Sequence, residues 1–147
     1  MEIIHHALGN CHSTGNSSLA GIGYLRAEDR DAIPPAADFL LTEKNVHTAI
    51  VYGMVTGEEW KETLVGSMRT SNLAMDPDEF IKQVFGKDAT EHYFGGGKLS
   101  AGGFQIPIGF LAGVHNEGYG DLRWQVYDYK IKHRVFAKIR IGQNLNQ

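Results

Sequence analysis

Apolar residues in this chain switch between a spacing of two and a spacing of three to four, and each switch marks an element. Leu19, Ile22, Tyr24 and Leu25 predict a strand over residues 17–25, loosened by Gly21 and Gly23. Pro34 and Pro35 pre-set the first turn of a helix. Ile33, Ala36, Ala37, Leu40 and Leu41 continue it at helical spacing, with a stop expected before Asn45. Thr48, Ile50, Val51, Tyr52 and Val55 predict a buried strand over 47–56. After a turn at 56–59, residues 60–70 return as the second strand of a hairpin. On a period of two, Trp60, Glu62, Leu64, Gly66 and Met68 share one face of that strand, and Lys61, Thr63, Val65, Ser67 and Arg69 share the other.

The second half is punctuated more sharply. Asp76 can cap a helix, Pro77 suits its first position, and Glu79 stands at capping-box spacing. Phe80, Ile81, Val84 and Phe85 supply the buried stripe, and Gly86 is a natural residue just past the end. Phe104, Ile106, Ile108 and Phe110 alternate with Gln105, Pro107 and Gly109, which predicts a strand with one buried face. Pro107 cannot donate to a ladder and marks an edge or a bulge. Trp124, Tyr127, Ile131, Val135 and Ile139 predict a terminal amphipathic helix. Lys130, Arg134 and Lys138 run beside that stripe, as a guide for an anionic strand or as a solvated face.

Composition narrows the classes. With 147 residues the chain is long enough for one domain with its own core. No apolar run reaches the length of a membrane span and no signal peptide is visible. Cys11 is the only cysteine, so no internal disulfide can form, which fits a cytoplasmic setting. A net charge of −3 argues against a stand-alone, non-specific nucleic-acid binder but leaves room for a local basic groove. His5, His6, Cys11 and His12 are ligand types, yet their spacing matches no zinc pattern, so a linker or arm competes with a metal site.

The densest signal is the run Gly95-Gly96-Gly97-Lys98-Leu99-Ser100-Ala101-Gly102-Gly103. Consecutive glycines cost backbone entropy, and a chain keeps them for positive φ or for close approach. Successive N–H groups in such a turn can converge on an anion, and Lys98 adds a mobile charge. A P-loop is excluded, because His92 stands where its first glycine is required and Leu99 where its hydroxyl residue is required.

Gly95-Gly96-Gly97-Lys98 followed by Ala101-Gly102-Gly103-Phe104 resembles the signature of the DHHA1 domain, the C-terminal half of DHH-family phosphoesterases. That family includes oligoribonuclease/phosphoadenosine-phosphate phosphatases and exopolyphosphatase-related proteins. It carries histidine where Lys98 stands. Ser67-Met68-Arg69-Thr70 resembles its Ser-x-Arg-Ser element, whose arginine lines the substrate cleft; the residues alone favour a solvent-facing strand end for Arg69, and the resemblance reverses that preference. The resemblance covers about 37–141. It implies an α/β fold, a mixed β-sheet with flanking helices, and a division into an N-terminal arm with a strand (1–36) and a DHHA1-like domain (37–147). It implies a substrate site at Ser67, Arg69, Gly95, Gly96, Gly97, Lys98, Ala101 and Gly102, with no catalytic residue in this chain. The implied ligand is a single-stranded oligonucleotide or a nucleotide phosphate. The Mn or Mg ions of the family belong to a DHH domain whose Asp-His-His triplet is absent here: His5-His6 follows Ile4. The expectation is a substrate-binding part of a larger phosphoesterase, with no membrane role. A stand-alone nucleic-acid-binding module and a dimerisation element, a homodimer included, stay open. An independent enzyme would need Ser67, His92 or Cys11, which no spacing pairs.

Overall fold

A computed structural model describes Ala7, Gly9 and residues 11–58, 61–109 and 117–145, with side chains of the last segment described from 118 to 139. His5, His6, Trp60 and Phe110 lie outside the described residues. The elements run β1 (Cys11–Thr14), β2 (Ser17–Arg26), a 3-10 turn (Ala27–Ala32), α1 (Ile33–Leu41), β3 (Thr48–Thr56), β4 (Glu62–Thr70), α2 (Pro77–Phe85), β5 (Gly95–Gly97), β6 (Ala101–Pro107) and α3 (Glu117–Leu145). The six strands form one sheet in the order β1-β2-β3-β4-β6-β5. β2 and β3 pair in parallel across the α1 connection, and the other neighbours are antiparallel, so the sheet is mixed.

Alternation along the strands divides the interior into two layers. Leu19, Ile50, Tyr52, Met54, Leu64, Met68 and Phe104 pack against α2 and the Ile131, Val135 and Ile139 stripe of α3. Ala20, Ile22, Ala49, Val51, Val55 and Val65 face the other way, onto Ile33, Ala36, Ala37 and Leu40 of α1. Covered on both sides, β3 is buried from Thr48 to Val55, which is why its sequence reads as one apolar run. Full burial of each Leu- or Ile-sized chain contributes about 1.5–3 kcal/mol.

The helix starting at Pro77 forms as its residues predict, with one difference. The Asp76 carboxylate accepts the Asp78 N–H at 3.0 Å, and Gly86 ends the helix at φ +75°. Glu79 does not close a capping box; its carboxylate accepts from the Gln83 side-chain amide at 2.9 Å. Pro107 lies at the end of β6. Its neighbour Ile108 donates to the Glu62 carbonyl at 3.0 Å, so the proline nitrogen points away from β4, to where β5 no longer reaches.

The glycine run is the main departure from expectation. Gly95–Gly97 is an edge strand, β6 starts at Ala101 rather than at Phe104, and residues 98–100 make the turn between them. Positive φ among the described glycines occurs at Gly15, Gly23, Gly86 and Gly109, none of them in the run. The glycines serve close approach instead. A Cβ on Gly102 would stand 2.5 Å from Ile81 Cδ1 of α2, and one on Gly66 of β4 would enter the Phe104 ring.

Gly66→Ala is therefore expected to destabilise the domain by about 1–3 kcal/mol, the usual cost of forced overpacking. Chemical denaturation measures it. Smaller loss is expected for Gly57→Ala, where the nearest atom to an added Cβ is 3.7 Å away.

Candidate ligand-binding site

Cross-strand register gathers Ser67, Arg69 and Ala101 of the predicted residues on the face covered by α1. Ser67 pairs with Gly103, Arg69 with Ala101 and Val65 with Gln105, so these side chains share one surface. Where α1 stops short of β6, a cavity of about 540 Å³ opens between Arg30, Asp31 and Pro34 on one wall and Ser67, Gly95, Gly103 and Gln105 on the floor, with Tyr93 and Phe94 at its end. The start of α1 adds little to its anion-binding capacity: Pro34 and Pro35 carry no N–H, and the Ile33 N–H is bonded to the Arg30 carbonyl. The polar side chains that line it are Arg30, Asp31, Ser67, Tyr93 and Gln105, so a carboxylate and a guanidinium stand side by side on one wall.

Arg69 stands two positions along the strand from Ser67, about 6–7 Å at strand rise. Its Nε donates to Asp38 of α1 at 2.9 Å, and its terminal nitrogen donates to the Met68 carbonyl at 2.9 Å. The Asp38 side chain is 62% exposed. The Arg69 side chain is 22% exposed, so the pair is only partly open to water.

The glycine strand holds a resident carboxylate. Asp78 accepts the Gly97 N–H at 2.9 Å and the Lys82 ammonium at 2.9 Å. The Lys82 hydrogen bond and then the Gly97 N–H hold its carboxyl below the ordinary aspartate value. A Cβ on Gly96 would lie 2.5 Å from the Asp78 oxygen, so the run leaves room for this carboxylate. Lys98 donates its backbone N–H to Ala101 at 2.8 Å, closing the turn, and its side chain is exposed. Ser67 and Gly95 thus line the cavity. Arg69 and Ala101 lie beside it on the same face, Gly96, Gly97 and Gly102 meet α2, and Lys98 sits at the hairpin tip. Among the described residues no three His, Cys, Asp or Glu side chains converge on a point that would hold a metal ion. The metal that the resemblance implies has no site among them.

Sequence reasoning passed over Asp38, Asp78, Arg30, Gln105 and Tyr93. Each takes its place through a partner distant in sequence, and no local signal marks it. The basic stripe on α3 lies across the sheet from this cavity. Arg134 donates to the Val84 carbonyl at 3.2 Å near the end of α2, and Lys130 rims a groove of about 260 Å³ under α3. Lys138 borders a separate hollow with Asp76 and Gln83.

No family model matches the chain. It is similar to the uncharacterized protein MJ1633 of Methanocaldococcus jannaschii, with 34% identity over 118 residues. That match covers 80% of this chain, which spans about a fifth (22%) of that relative's length. Among solved structures it resembles the pGpG-specific phosphodiesterase PggH of Vibrio cholerae at a TM-score of 0.43 and 14% identity, covering 90% of this chain and 37% of that one. It also resembles the C-Ala domain of Aquifex aeolicus alanyl-tRNA synthetase at a TM-score of 0.40 and 17% identity, covering 80% and 96%.

Asp78 gains ionised-state contacts on folding, so its contribution is present above the unfolded value of about 3.9 and lost as pH falls through the lower folded value. The Gly97 amide resonance is expected to titrate with a midpoint below about 3.9. Asp78→Asn should abolish that titration; a midpoint at or above the reference would separate Asp78 from the glycine strand.

Proposed function

We propose that this chain is the substrate-binding part of a larger DHH-type phosphoesterase, and that the cavity beside α1 takes the anionic end of a short oligonucleotide or nucleotide phosphate. The observation that carries the reading is the clustering of Ser67, Arg69, Ala101 and Gly103 on one face by strand register, beside an open cavity floored by Gly95. The two motif segments are more than twenty residues apart in sequence, and pairing of β4 with β6 makes them adjacent. Arg69 is the anchor in this reading: a guanidinium can hold a phosphate with two parallel hydrogen bonds. Asp38 occupies that guanidinium in the free chain and is the group a phosphate displaces. Ser67 and Gln105 orient the ligand. The match to one stretch of a much longer relative fits a parent chain with further domains, and in this reading one of them carries the metal-binding catalytic site.

Calorimetric titration of a 5′-phosphorylated nucleotide tests the site. Arg69→Ala should cost on the order of 1.5–3 kcal/mol of binding, the range for hydrogen bonds to charged groups. Asp38→Asn should strengthen binding by releasing Arg69, and Lys98→Met should lower the salt dependence if the hairpin tip reaches the phosphate. Unchanged affinity in both Arg69→Ala and Asp38→Asn, with the fold intact by circular dichroism, would remove Arg69 from the site. The chain alone is expected to show no phosphoesterase turnover with Mn or Mg.

A second reading rests on α3. Leu122, Val126 and Tyr129 are 62%, 62% and 71% exposed and recur at four and three residues, a seam at coiled-coil spacing. This favours an interaction role for the helix. Light scattering separates the readings: a dimer that Val126→Glu dissolves supports the seam, and a monomer at all concentrations removes self-association.

A further inference from the structure

Packing leaves a gap on the side of the sheet covered by α2 and α3. Leu64 of β4, Phe85 of α2 and Ile131 of α3 belong to the buried core there. Ile106, Ile108 and Tyr127 pack against that core only in part. Between these two sets lies the groove of about 260 Å³ under α3. No carboxylate lines it, and its only charged neighbours are Lys130 and Arg134. Protein interiors normally close to the density of an organic crystal, with few voids larger than a water molecule. Close packing of these elements does not call for an open apolar slot of this size.

The charges at its mouth are of one sign. Lys130 and Arg134 stand one turn apart on α3, and both are exposed. Among the described residues the Lys130 ammonium has no hydrogen-bond or ion-pair partner, and Arg134 makes one hydrogen bond, to the Val84 carbonyl at 3.2 Å. A guanidinium carries several further N–H donors, which stay open to a ligand. Lys132 on the same helix, by contrast, has its carboxylate, Asp128, at 2.8 Å. Like charges one turn apart weaken a helix, and the row Lys130, Arg134, Lys138 has no acid to offset it. Lysine and arginine stems do cover apolar surface while their heads stay in water. That accounts for where these two side chains stand, and not for the space left open beneath them. An apolar slot with uncompensated cations at its mouth is the complement of a molecule with an apolar body and an anionic head.

We infer that this groove binds a small amphipathic anion: an apolar ring or short acyl chain lies in the slot against Ile106, Ile108 and Tyr127, and its carboxylate meets Lys130 and Arg134. A dry apolar cavity of about 150 Å³ takes up benzene, so the 260 Å³ here has room for such a body. Arg134 offers a planar fork that matches a carboxylate, and Lys130 a compact point charge. Burial of the apolar body supplies the affinity, and the two cations fix which end of the ligand stays at the mouth. The groove lies across the sheet from the Ser67–Gly95 cavity, so the inference does not rest on the proposed function.

The test titrates octanoate, 1-octanol and butyrate against the wild type, Ile108→Trp and the double variant Lys130→Gln with Arg134→Gln, with the methyl resonances of Ile106 and Ile108 locating the ligand. Octanoate should shift those methyls and bind about tenfold more tightly than octanol, the gain of a charge-assisted over a neutral hydrogen bond. Butyrate, with less chain to bury, should bind roughly a hundredfold more weakly than octanoate. The double variant should bring octanoate down to the level of octanol and leave octanol within about twofold, since surface substitutions elsewhere cost little. Ile108→Trp fills the slot and should remove binding of both, with the fold intact by circular dichroism. Should that variant not fold, the double variant and the methyl shifts decide alone. Equal affinity for octanoate and octanol in the wild type, octanoate binding untouched by the double variant, or no methyl shift with millimolar octanoate overturns the inference. A dimer that Ile108→Trp dissociates overturns it too, by making a second copy of the chain the occupant.

Discussion

Backbone-to-side-chain contact without an intervening Cβ is the constraint on which this architecture depends. Phe104 of β6 lies across Gly66 of β4, and Ile81 of α2 presses on Gly102 of β6. The Phe104 ring then packs, tilted, against Phe85 at 4.1 Å between centroids, which ties the sheet to the end of α2. Remove the space at Gly66 or Gly102 and either β6 or α2 must shift. The strand carrying Gly103 and Gln105 would shift with it, and those residues floor the candidate cavity. Packing on one face of the sheet therefore fixes the geometry of the ligand face on the other.

The opposite end of the molecule is held by polar contacts inside an apolar layer. Glu62 at the start of β4 pairs with Arg123 of α3, both nearly inaccessible to water, and Arg123 also donates to the Tyr24 hydroxyl at 3.1 Å. Further along α3, Asp128 accepts from the buried Tyr52 hydroxyl and from Lys132, and burial with the adjacent carboxylate pushes the Tyr52 phenol far up. A buried charge pair is weak evidence for stability, because desolvation offsets much of the attraction. It does set register: a long helix whose apolar stripe alone would tolerate sliding is pinned to β4 and β3 at two points. The N-terminal part of α3 borders Tyr24, in the last half of β2, through the same cluster.

Much of this was legible in the sequence where the signal is local. Asp76-Pro77 announced the start of α2, and the apolar run at 48–55 announced a strand covered on both faces. The alternation in 60–70 placed Ser67 and Arg69 together, as the register shows. What escaped depends on residues far apart in the chain. The glycine run reads as an open turn until α2 is laid beside it, when Asp78, nineteen residues earlier than Gly97, takes the N–H that a free turn would offer. Arg69 reads as an unpaired cation until Asp38 of α1 meets it. The capping box at Glu79 failed for a local reason: Gln83, one turn later, offers that carboxylate a competing donor. The basic stripe on α3 was correctly placed on a helix, but the face that helix covers could not be known without the topology.

The strand at the end of the sheet has a consequence for how the molecule behaves among its own copies. An unpaired edge offers a template on which another strand can add. β5 is three residues long and its outward Gly97 N–H is already spent on Asp78. The opposite edge, β1, is four residues of largely exposed sequence without a single large apolar side chain. Among the described residues, one margin is three residues long with an N–H already taken by an internal carboxylate and the other is short and polar, so both edges make poor templates for open-ended strand addition.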